Sequence, residues 1–174
     1  MMKKIFLLLL LISGSTVLFA QDKDSYTKPG DPAPAFSFEI EKGKTVNLSD
    51  YKGKLILINL FATWCPPCNT ELPLVQAEIW DKYKGSKDFA FFVFGREEGW
   101  EKLIPYKQKK GFTFPILPDA DRSIFNKFAK QSIPRNILID RDGKIIYQSI
   151  GYEAKEFESL IKLISEKLGP AATK

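Results

Sequence analysis

The chain has 174 residues, of which 44% are hydrophobic and 13% are aromatic, so it can build one core of ordinary size and lacks the composition of a disordered protein. Its formal net charge is +5, and acidic and basic side chains are mixed along the chain, which argues against nucleic-acid binding. It contains two cysteines and no histidine, which excludes a disulfide-stapled scaffold and the usual Cys–His zinc sites. We therefore expect neither a cofactor nor a metal.

The first residues, 1–20, have the organisation of an export signal. Two lysines precede an apolar run from Ile5 to Ile12, and small residues and Ala20 follow it. This order of charged, apolar and small residues is typical of a secretory signal. The apolar run is short for a membrane span, although an uncleaved N-terminal anchor is the alternative. We expect an exported protein, either periplasmic or attached to the membrane and facing the periplasm.

The remaining chain divides into one domain and two short appendages. Residues 21–32 are polar and contain proline and glycine, which predicts a tether. We expect the folded domain at residues 33–168 and a C-terminal tail at residues 169–174.

The first half of the domain contains five predicted elements. The alternating segments FSFEI and KTVNL predict a short hairpin, and LSDYKGK predicts a turn or one helical turn. The apolar runs LILINLF, residues 55–61, and FAFFVFG, residues 89–95, predict strands that are buried on both faces. Between them, apolar residues at helical spacing predict a helix that ends near Gly85.

The second half begins with helical segments and ends with a hairpin and a helix. WEKLIPYKQKKG predicts a helix in which Pro105 causes a kink or delays the start, and SIFNKFAK predicts a short one. NILID and KIIYQSI on either side of RDG predict a hairpin. The last amphipathic helix should end at Gly169 and Pro170. This alternation indicates an α/β fold with a mainly parallel central sheet, covered on both faces, to which the hairpin adds antiparallel strands.

The two cysteines, Cys65 and Cys68, lie three positions apart in ATWCPPCNTELP. As a structural bridge they would close a four-residue loop, worth about 1.9 kcal/mol against ~4.7 kcal/mol for a hundred-residue loop. A metal site needs four ligands, so this pair would have to share one with a second chain. The third alternative is a redox pair, which is oxidised and reduced in turn.

The position of the pair favours the redox alternative. Cys65 follows a predicted strand and begins a predicted helix, where free N–H groups and the helix dipole lower a thiol pKa. Pro66 and Pro67 are compatible with the first helical turn, where N–H groups lack intrahelical partners. We predict that Cys65 is the nucleophile and that Cys68, on the same side of the helix and less exposed, is the resolving thiol.

These residues resemble the exported TlpA/ResA-like thiol–disulfide oxidoreductases of bacteria, from about Pro29 to Leu168. The resemblance is carried by GDPAPAFSFEI, by GKTVNLSDYKGKLILINLFATWCPPCNTELP and by SIPRNILIDRDGKIIYQSIGY. It implies a thioredoxin fold, in which helices flank a central mixed sheet. An N-terminal β-hairpin and an inserted strand–helix element around residues 77–115 would distinguish it from plain thioredoxin.

The resemblance also implies residues that support the cysteines. Pro134 matches a proline that follows a cis peptide bond beside the cysteines, which would leave the backbone of Ile133 free to pair with an extended substrate. Trp64 is either a platform on which partners dock or a packing residue of the core. Arg135 directly follows Pro134. Its side chain either places a positive charge at the rim of the active site or points outward as a surface arginine.

The resemblance leaves open which residue accepts the proton of the resolving thiol. Asn59 stands in the strand where thioredoxin has a buried acid, and an amide cannot accept that proton. In ResA-like relatives a glutamate near residues 97 and 98 helps to protonate the active site, so Glu97 and Glu98 are candidates. The alternative is that both are solvated loop carboxylates.

The implied function is the reduction of protein disulfides outside the cytoplasm. Its partners would be oxidised client proteins and a membrane-embedded donor that carries electrons from the cytoplasm. A peroxiredoxin-type thiol peroxidase is one rival, but neither cysteine lies in a Pro-x-x-x-Thr-x-x-Cys pattern. A metal- or haem-handling protein is another, and the absence of histidine argues against it.

Overall fold

The computed structural model describes residues 23–169, so the predicted export signal and most of the predicted tail lie outside the described residues. The strands are β1 (Ser37–Glu41), β2 (Lys44–Asn47), β3 (Leu55–Phe61), β4 (Phe89–Arg96), β5 (Ile116–Asp119), β6 (Arg135–Ile139) and β7 (Ile145–Ile150). The helices are α1 (Pro66–Val75), α2 (Asp81–Tyr83), α3 (Trp100–Lys110), α4 (Phe125–Phe128) and α5 (Ala154–Leu168). A 3₁₀ turn at Leu48–Tyr51 follows the β1–β2 hairpin, and a π-helical turn at Gln76–Trp80 joins α1 to α2.

Five strands form the central sheet in the order β5-β4-β3-β6-β7, and β1 and β2 form a separate antiparallel hairpin. The pairs β3–β4 and β4–β5 are parallel, whereas β3–β6 and β6–β7 are antiparallel. The sheet is therefore mixed, as predicted, with fewer parallel pairs than we expected. β3 lies in the middle because all seven of its residues are buried.

The strand β5 was not predicted from the sequence. Pro115 precedes it and Pro118 lies within it, and proline is usually a signal against a strand. β5 is an edge strand that pairs only with β4, so one side of its backbone needs no partner in the sheet. An edge position tolerates a missing N–H, which explains the error.

The helices α1, α3 and α5 cover one face of the sheet, and the hairpin together with α4 covers the other. Leu72 of α1, Leu103 of α3 and Leu160 of α5 pack on one face. On the opposite face, Phe38 of the hairpin contacts Phe92 of β4, with ring centroids 4.9 Å apart. The predicted covering of both faces is confirmed.

Proline residues lie inside two of the helices. α3 begins at Trp100, so Pro105 does not delay its start, and that part of the prediction is wrong. The buried side chain of Leu103 anchors the first turn to the core, and Gly111 ends the helix in the left-handed region with φ 70°. α1 contains Pro73 and widens into the π-helical turn three residues later. No helix within residues 23–169 combines the length and the apolar character needed to cross a membrane.

The segment that we expected to be a tether lies against the domain over its described part. The N–H of Tyr26 donates to the carbonyl of Phe128 over 2.8 Å, and the N–H of Gly30 donates to the carbonyl of Ile145 over 2.8 Å. Thr27 is buried between these contacts. The ordered domain therefore includes residues before 33, which the polar composition of this segment concealed.

Gly95 of β4 provides a test of the packing between the sheet and α3. A Cβ at this position would lie 2.5 Å from Cδ2 of Leu103, and Leu103 is buried and cannot turn away freely. We predict that Gly95→Ala lowers the free energy of unfolding by about 1–3 kcal/mol, measured by urea denaturation. Gly85→Ala is the matched control, because nothing lies within 4 Å of its Cβ, and it should change stability by less than about 1 kcal/mol. Equal effects of the two variants would contradict this packing.

Candidate active site

Cys65 and Cys68 are joined in a disulfide at the N-terminus of α1. Cys65 is the residue before the helix and has an extended backbone, and Pro66 and Pro67 occupy the first two helical positions. The N–H of Cys68 points at Sγ of Cys65 over 3.3 Å. Cys65 is 2% exposed and Cys68 is fully buried, in the predicted order. A thiolate on Cys65 would therefore lie where helix N–H groups stabilise negative charge.

The loop before β6 brings a second predicted element to the disulfide. The peptide bond between Ile133 and Pro134 is cis, as predicted. The carbonyl oxygen of Ile133 lies 3.9 Å from Sγ of Cys65, so the contact involves the residue before the proline. Pro134 itself is buried.

Glu98 holds the loop that carries the cysteines. Its Oε2 accepts from the N–H of Thr63 over 2.9 Å, and its Oε1 accepts from the Thr63 hydroxyl over 2.6 Å. Glu98 is buried, so it is not a solvated carboxylate. Glu97 has φ 62° and an exposed side chain that pairs with Arg96, with 3.1 Å between Oε2 and Nε. Of the two predicted candidates, the structure brings Glu98 to the loop and leaves Glu97 at the surface.

Asn69 fixes the same loop from the side of α1. Its Nδ2 donates to the carbonyls of Thr63 and Cys65 over 3.0 and 2.9 Å. Tyr106 of α3 donates its hydroxyl to Oδ1 of Asn69 over 3.1 Å. Burial, and secondarily the charge of Glu98, raises the pKa of Tyr106 to about 12, so this donor stays protonated in the neutral range.

Trp64 lies at the surface beside Cys65, with 62% of its side chain exposed. The guanidinium of Arg96 lies over its ring, with Cζ 5.5 Å from the ring centroid. The same guanidinium lies 5.3 Å from the ring of Phe125. The alternative that Trp64 fills the core is wrong. With the exposed Pro66 and Pro67 it forms an apolar surface next to the disulfide.

Arg135 is fully buried, so the alternative of an outward-pointing surface arginine is also wrong. Its Nε donates to the carbonyl of Ser132 over 2.9 Å, and its Nη2 donates to that of Gln131 over 2.7 Å. Nη1 donates to Oγ of Ser25 over 2.7 Å. The guanidinium thus braces the loop that leads to Pro134, and its effect on the charge of Cys65 stays a prediction.

Glu71 is a candidate functional residue that the sequence analysis missed. It lies on α1, three residues after Cys68 and therefore on the same helical face, and it is 1% exposed. Burial raises its pKa to about 7 from an ordinary value of 4.5, although hydrogen bonds from Asn136 and Asn59 act to lower it. The spacing from Cys68, together with buried Leu72 and Val75 on that face, is the signal that could have identified it.

A row of polar side chains holds Glu71 beneath the disulfide. Asn59, Asn136 and Ser149 are paired across β3, β6 and β7, on the face that α1 covers. The Nδ2 of Asn59 donates to Oε2 of Glu71 over 2.9 Å, and that of Asn136 donates to Oε1 over 2.6 Å. Asn59 thus occupies the strand position that was expected, and the acid that it supports lies on the helix instead.

The fold and the disulfide at the start of α1 define a thioredoxin-like dithiol–disulfide protein. Comparison with known families agrees, because the sequence pattern described as Redoxin matches residues 28–164. The thiol–disulfide oxidoreductase ResA of Bacillus thuringiensis (strain Al Hakam) is 32% identical over 165 residues, covering 91% of this chain and 94% of that protein. ResA of Bacillus subtilis (strain 168) is 32% identical over 146 residues, covering 82% of this chain and 79% of that protein.

Solved structures give the same result. A structure described as that of a protein disulfide isomerase from Bacteroides thetaiotaomicron has a TM-score of 0.80 and 37% identity, and covers 83% of this chain and 92% of that one. One described as a thiol:disulfide interchange protein DsbE from Chlorobium tepidum has a TM-score of 0.69 and 26% identity, over 82% and 99% of the two chains. The chain belongs to the redoxin family and is a ResA-like thiol–disulfide oxidoreductase with a thioredoxin fold. The predicted family, fold and enzyme class are confirmed.

The same side chains have little capacity to hold a metal. Within residues 23–169, no group of three or more His, Cys, Asp or Glu side chains is placed to hold a metal ion.

The buried Glu71 predicts a pH-dependent stability of the oxidised protein. Its folded pKa of about 7 exceeds its ordinary 4.5, so the folded state retains a proton that the unfolded state has lost between these values. The free energy of unfolding should therefore fall as the pH rises through this window, by about 3 kcal/mol from this group, and level off above it.

Glu71→Gln removes this titration, so the variant should lack that part of the fall in stability between pH 4.5 and 7. Urea denaturation at pH 5 and pH 8 measures the difference in the free energy of unfolding between these pH values. Glu158→Gln, an exposed glutamate on α5, is the control and should retain the wild-type behaviour. If Glu71→Gln loses as much stability as the wild type over this range, the carboxyl group is not buried as the structure describes.

Proposed function

We propose that this protein reduces disulfides in client proteins, with Cys65 as the nucleophile and Cys68 as the resolving thiol. The observation that carries the proposal is the position of the Cys65–Cys68 pair, joined at the N-terminus of a helix that carries a buried carboxyl group three residues after Cys68. A helix N-terminus stabilises the attacking thiolate. A buried acid with a pKa near 7 can take a proton from the second thiol and release it again.

In the first step, the thiolate of reduced Cys65 attacks one sulfur of the client disulfide. A bond forms between Cys65 and that sulfur, and the client S–S bond breaks. The electron pair leaves with the second client sulfur, which takes a proton from solvent. The product is a mixed disulfide between Cys65 and the client.

In the second step, the thiol of Cys68 transfers its proton to ionised Glu71 and attacks Sγ of Cys65. The Cys65–Cys68 bond forms, the mixed disulfide breaks, and the first client sulfur, which was bonded to Cys65, leaves as a thiolate that takes up a proton. The client gains two electrons from the two cysteines and two protons, the first from solvent and the second matched by the proton that Cys68 gave to Glu71. Glu71 is a suitable acceptor because it is three residues from Cys68 on one helical face.

Two features next to Cys65 suit an extended polypeptide as substrate. The carbonyl of Ile133 lies 3.9 Å from Sγ of Cys65 and precedes the cis-proline, where the backbone of a client could pair with it. The exposed ring of Trp64, the residue before Cys65, offers an apolar surface to a client side chain. Pro66 and Pro67 keep the intervening backbone rigid.

We further propose that the protein acts outside the cytoplasm, periplasmic or attached to the membrane. The basic, apolar and small residues of positions 1–20 support this proposal. A reductant in an oxidising compartment must be re-reduced, because the environment keeps closing its disulfide. A membrane-embedded partner that transfers electrons from the cytoplasm would meet that need.

The roles of the two cysteines can be separated by trapping. We predict that reduced Cys68→Ser, mixed with insulin, accumulates a mixed disulfide through Cys65, because the resolving thiol is absent. Non-reducing electrophoresis and mass spectrometry measure the adduct. Cys65→Ser is the matched control and should form little adduct, since Cys68 is fully buried. Preferential trapping by Cys65→Ser would mean that the roles are reversed.

The direction of electron flow can be tested in intact cells. We predict that rapid acid quenching and thiol alkylation find Cys65 and Cys68 mostly reduced, as a reductant with an active donor requires. A membrane-impermeant thiol reagent should label them in spheroplasts if the protein is exported. The Cys65→Ser/Cys68→Ser variant sets the unlabelled background. A predominantly oxidised pair would contradict the reductant role and favour an oxidase.

A further inference from the structure

Asn136 reaches Glu71 from the strand that follows the cis-proline. Its Nδ2 lies 2.6 Å from Oε1 of Glu71, and the Nδ2 of Asn59 lies 2.9 Å from Oε2. The two amides are also joined, because Nδ2 of Asn59 donates to Oδ1 of Asn136 over 2.9 Å. All three side chains are buried. Both oxygens of the carboxyl group therefore receive an amide hydrogen inside the protein.

An amide donor favours one protonation state of the carboxyl group that it contacts. The Nδ2 groups remain donors over the whole working pH range, and donation stabilises a carboxylate more than a neutral acid. Burial acts in the opposite direction because it disfavours charge. The affinity of Glu71 for a proton is thus the balance of these two effects, in which burial is the larger.

Other titratable groups near Glu71 are silent, neutral or exposed to solvent in the oxidised protein. Cys65 and Cys68 on the same helix do not titrate while the disulfide is closed. Tyr147 of β7 lies on the face of the sheet that α1 covers, and burial raises its pKa above its ordinary value of 10, so it stays uncharged near pH 7. Glu156 of α5 is exposed and accepts the Tyr147 hydroxyl at its backbone carbonyl.

The remaining charged group on this part of the sheet faces away from Glu71. Arg135 precedes Asn136 on β6 and pairs in register with Leu60, whose side chain lies in the core on the opposite face. Its guanidinium is bonded to the loop before Pro134 and to Ser25. Asn136 and Asn59 are therefore the groups whose removal should move the titration of Glu71 most directly.

We propose that Asn136 is a positioning residue for thiol exchange, which together with Asn59 holds the Glu71 carboxyl group and weakens its hold on a proton. Acid and carboxylate are then both populated near neutral pH, as a proton acceptor that must also release its proton requires. This proposal rests on the proposed role of Glu71 as acceptor for Cys68. The length of the Asn136 side chain allows its amide to reach Glu71 on α1 from the sheet.

The titration of Glu71 in the oxidised protein is the direct test. Side-chain carboxyl ¹³C NMR follows each glutamate against pH, and Glu71→Gln assigns the resonance. Asn136→Leu keeps nearly the same volume and removes the donor, so the midpoint of Glu71 should move upward by about one to two pH units. Asn136→Thr, which keeps a polar group, is a second variant in case the leucine disrupts folding, and it should shift the midpoint in the same direction.

Ser149→Ala is the matched control, because Ser149 lies in the same polar row and accepts from Nδ2 of Asn136 over 3.4 Å, whereas within residues 23–169 it is not hydrogen-bonded to Glu71. It should leave the midpoint of Glu71 in place. An unchanged midpoint in both Asn136 variants, or an equal shift in Ser149→Ala, overturns the proposal.

Kinetics separates this proposal from the role of Glu71 itself. Resolution of a mixed disulfide by Asn136→Leu should slow by about fivefold to fiftyfold at pH 7 and recover at higher pH, in parallel with the shifted midpoint. If the midpoint moves but the pH profile of resolution does not, the amide sets the titration and Glu71 is not the acceptor. That result refutes the catalytic part of the proposal and the acceptor role together, whereas an unmoved midpoint refutes only the part played by Asn136.

Discussion

The burial of the Glu71 carboxyl group, three residues after Cys68 on the same helix, is the constraint on which the arrangement of this site depends. An isolated buried carboxylate is expensive, so its oxygens need donors within the fold. β3 supplies one from Asn59, the single polar residue in an otherwise apolar strand, and β6 supplies another from Asn136. These strands must be neighbours and in register for both amides to reach α1, and the antiparallel pairing of β3 with β6 places the two asparagines opposite each other.

The inserted strand–helix element also supports the loop that carries the cysteines. Glu98, just before α3, binds Thr63, and Tyr106 within α3 binds Asn69, which in turn binds the carbonyls on either side of Trp64. The active-site loop is therefore supported from the helix that follows β4 as well as from its own helix. Support from two directions limits the conformations that the loop can adopt when the disulfide opens.

Local patterns were sufficient for the central strands and for the position of the cysteines. The run from Leu55 to Phe61 is apolar throughout, and a CxxC with two prolines after such a run marks the start of a helix. Glu71 could not be assigned in the same way, because a charged residue on a helix is usually exposed and its burial depends on Asn136, 65 positions away. The burial of Arg135 has the same origin, since its partner Ser25 is 110 positions away.

The contact between Ser25 and Arg135 also limits how far the folded domain could lie from the membrane if the N-terminal segment were retained as an anchor. Ser25 lies five residues beyond Ala20, and an extended chain covers at most about 3.5 Å per residue, so these five steps span no more than about 18 Å. Because Ser25 is hydrogen-bonded to Arg135 on the strand that follows Pro134, only a short connection would separate a retained N-terminal anchor from the folded domain. An anchored form would stay close to the bilayer and could reach partners in or near the membrane, whereas cleavage after Ala20 would free the same domain to diffuse.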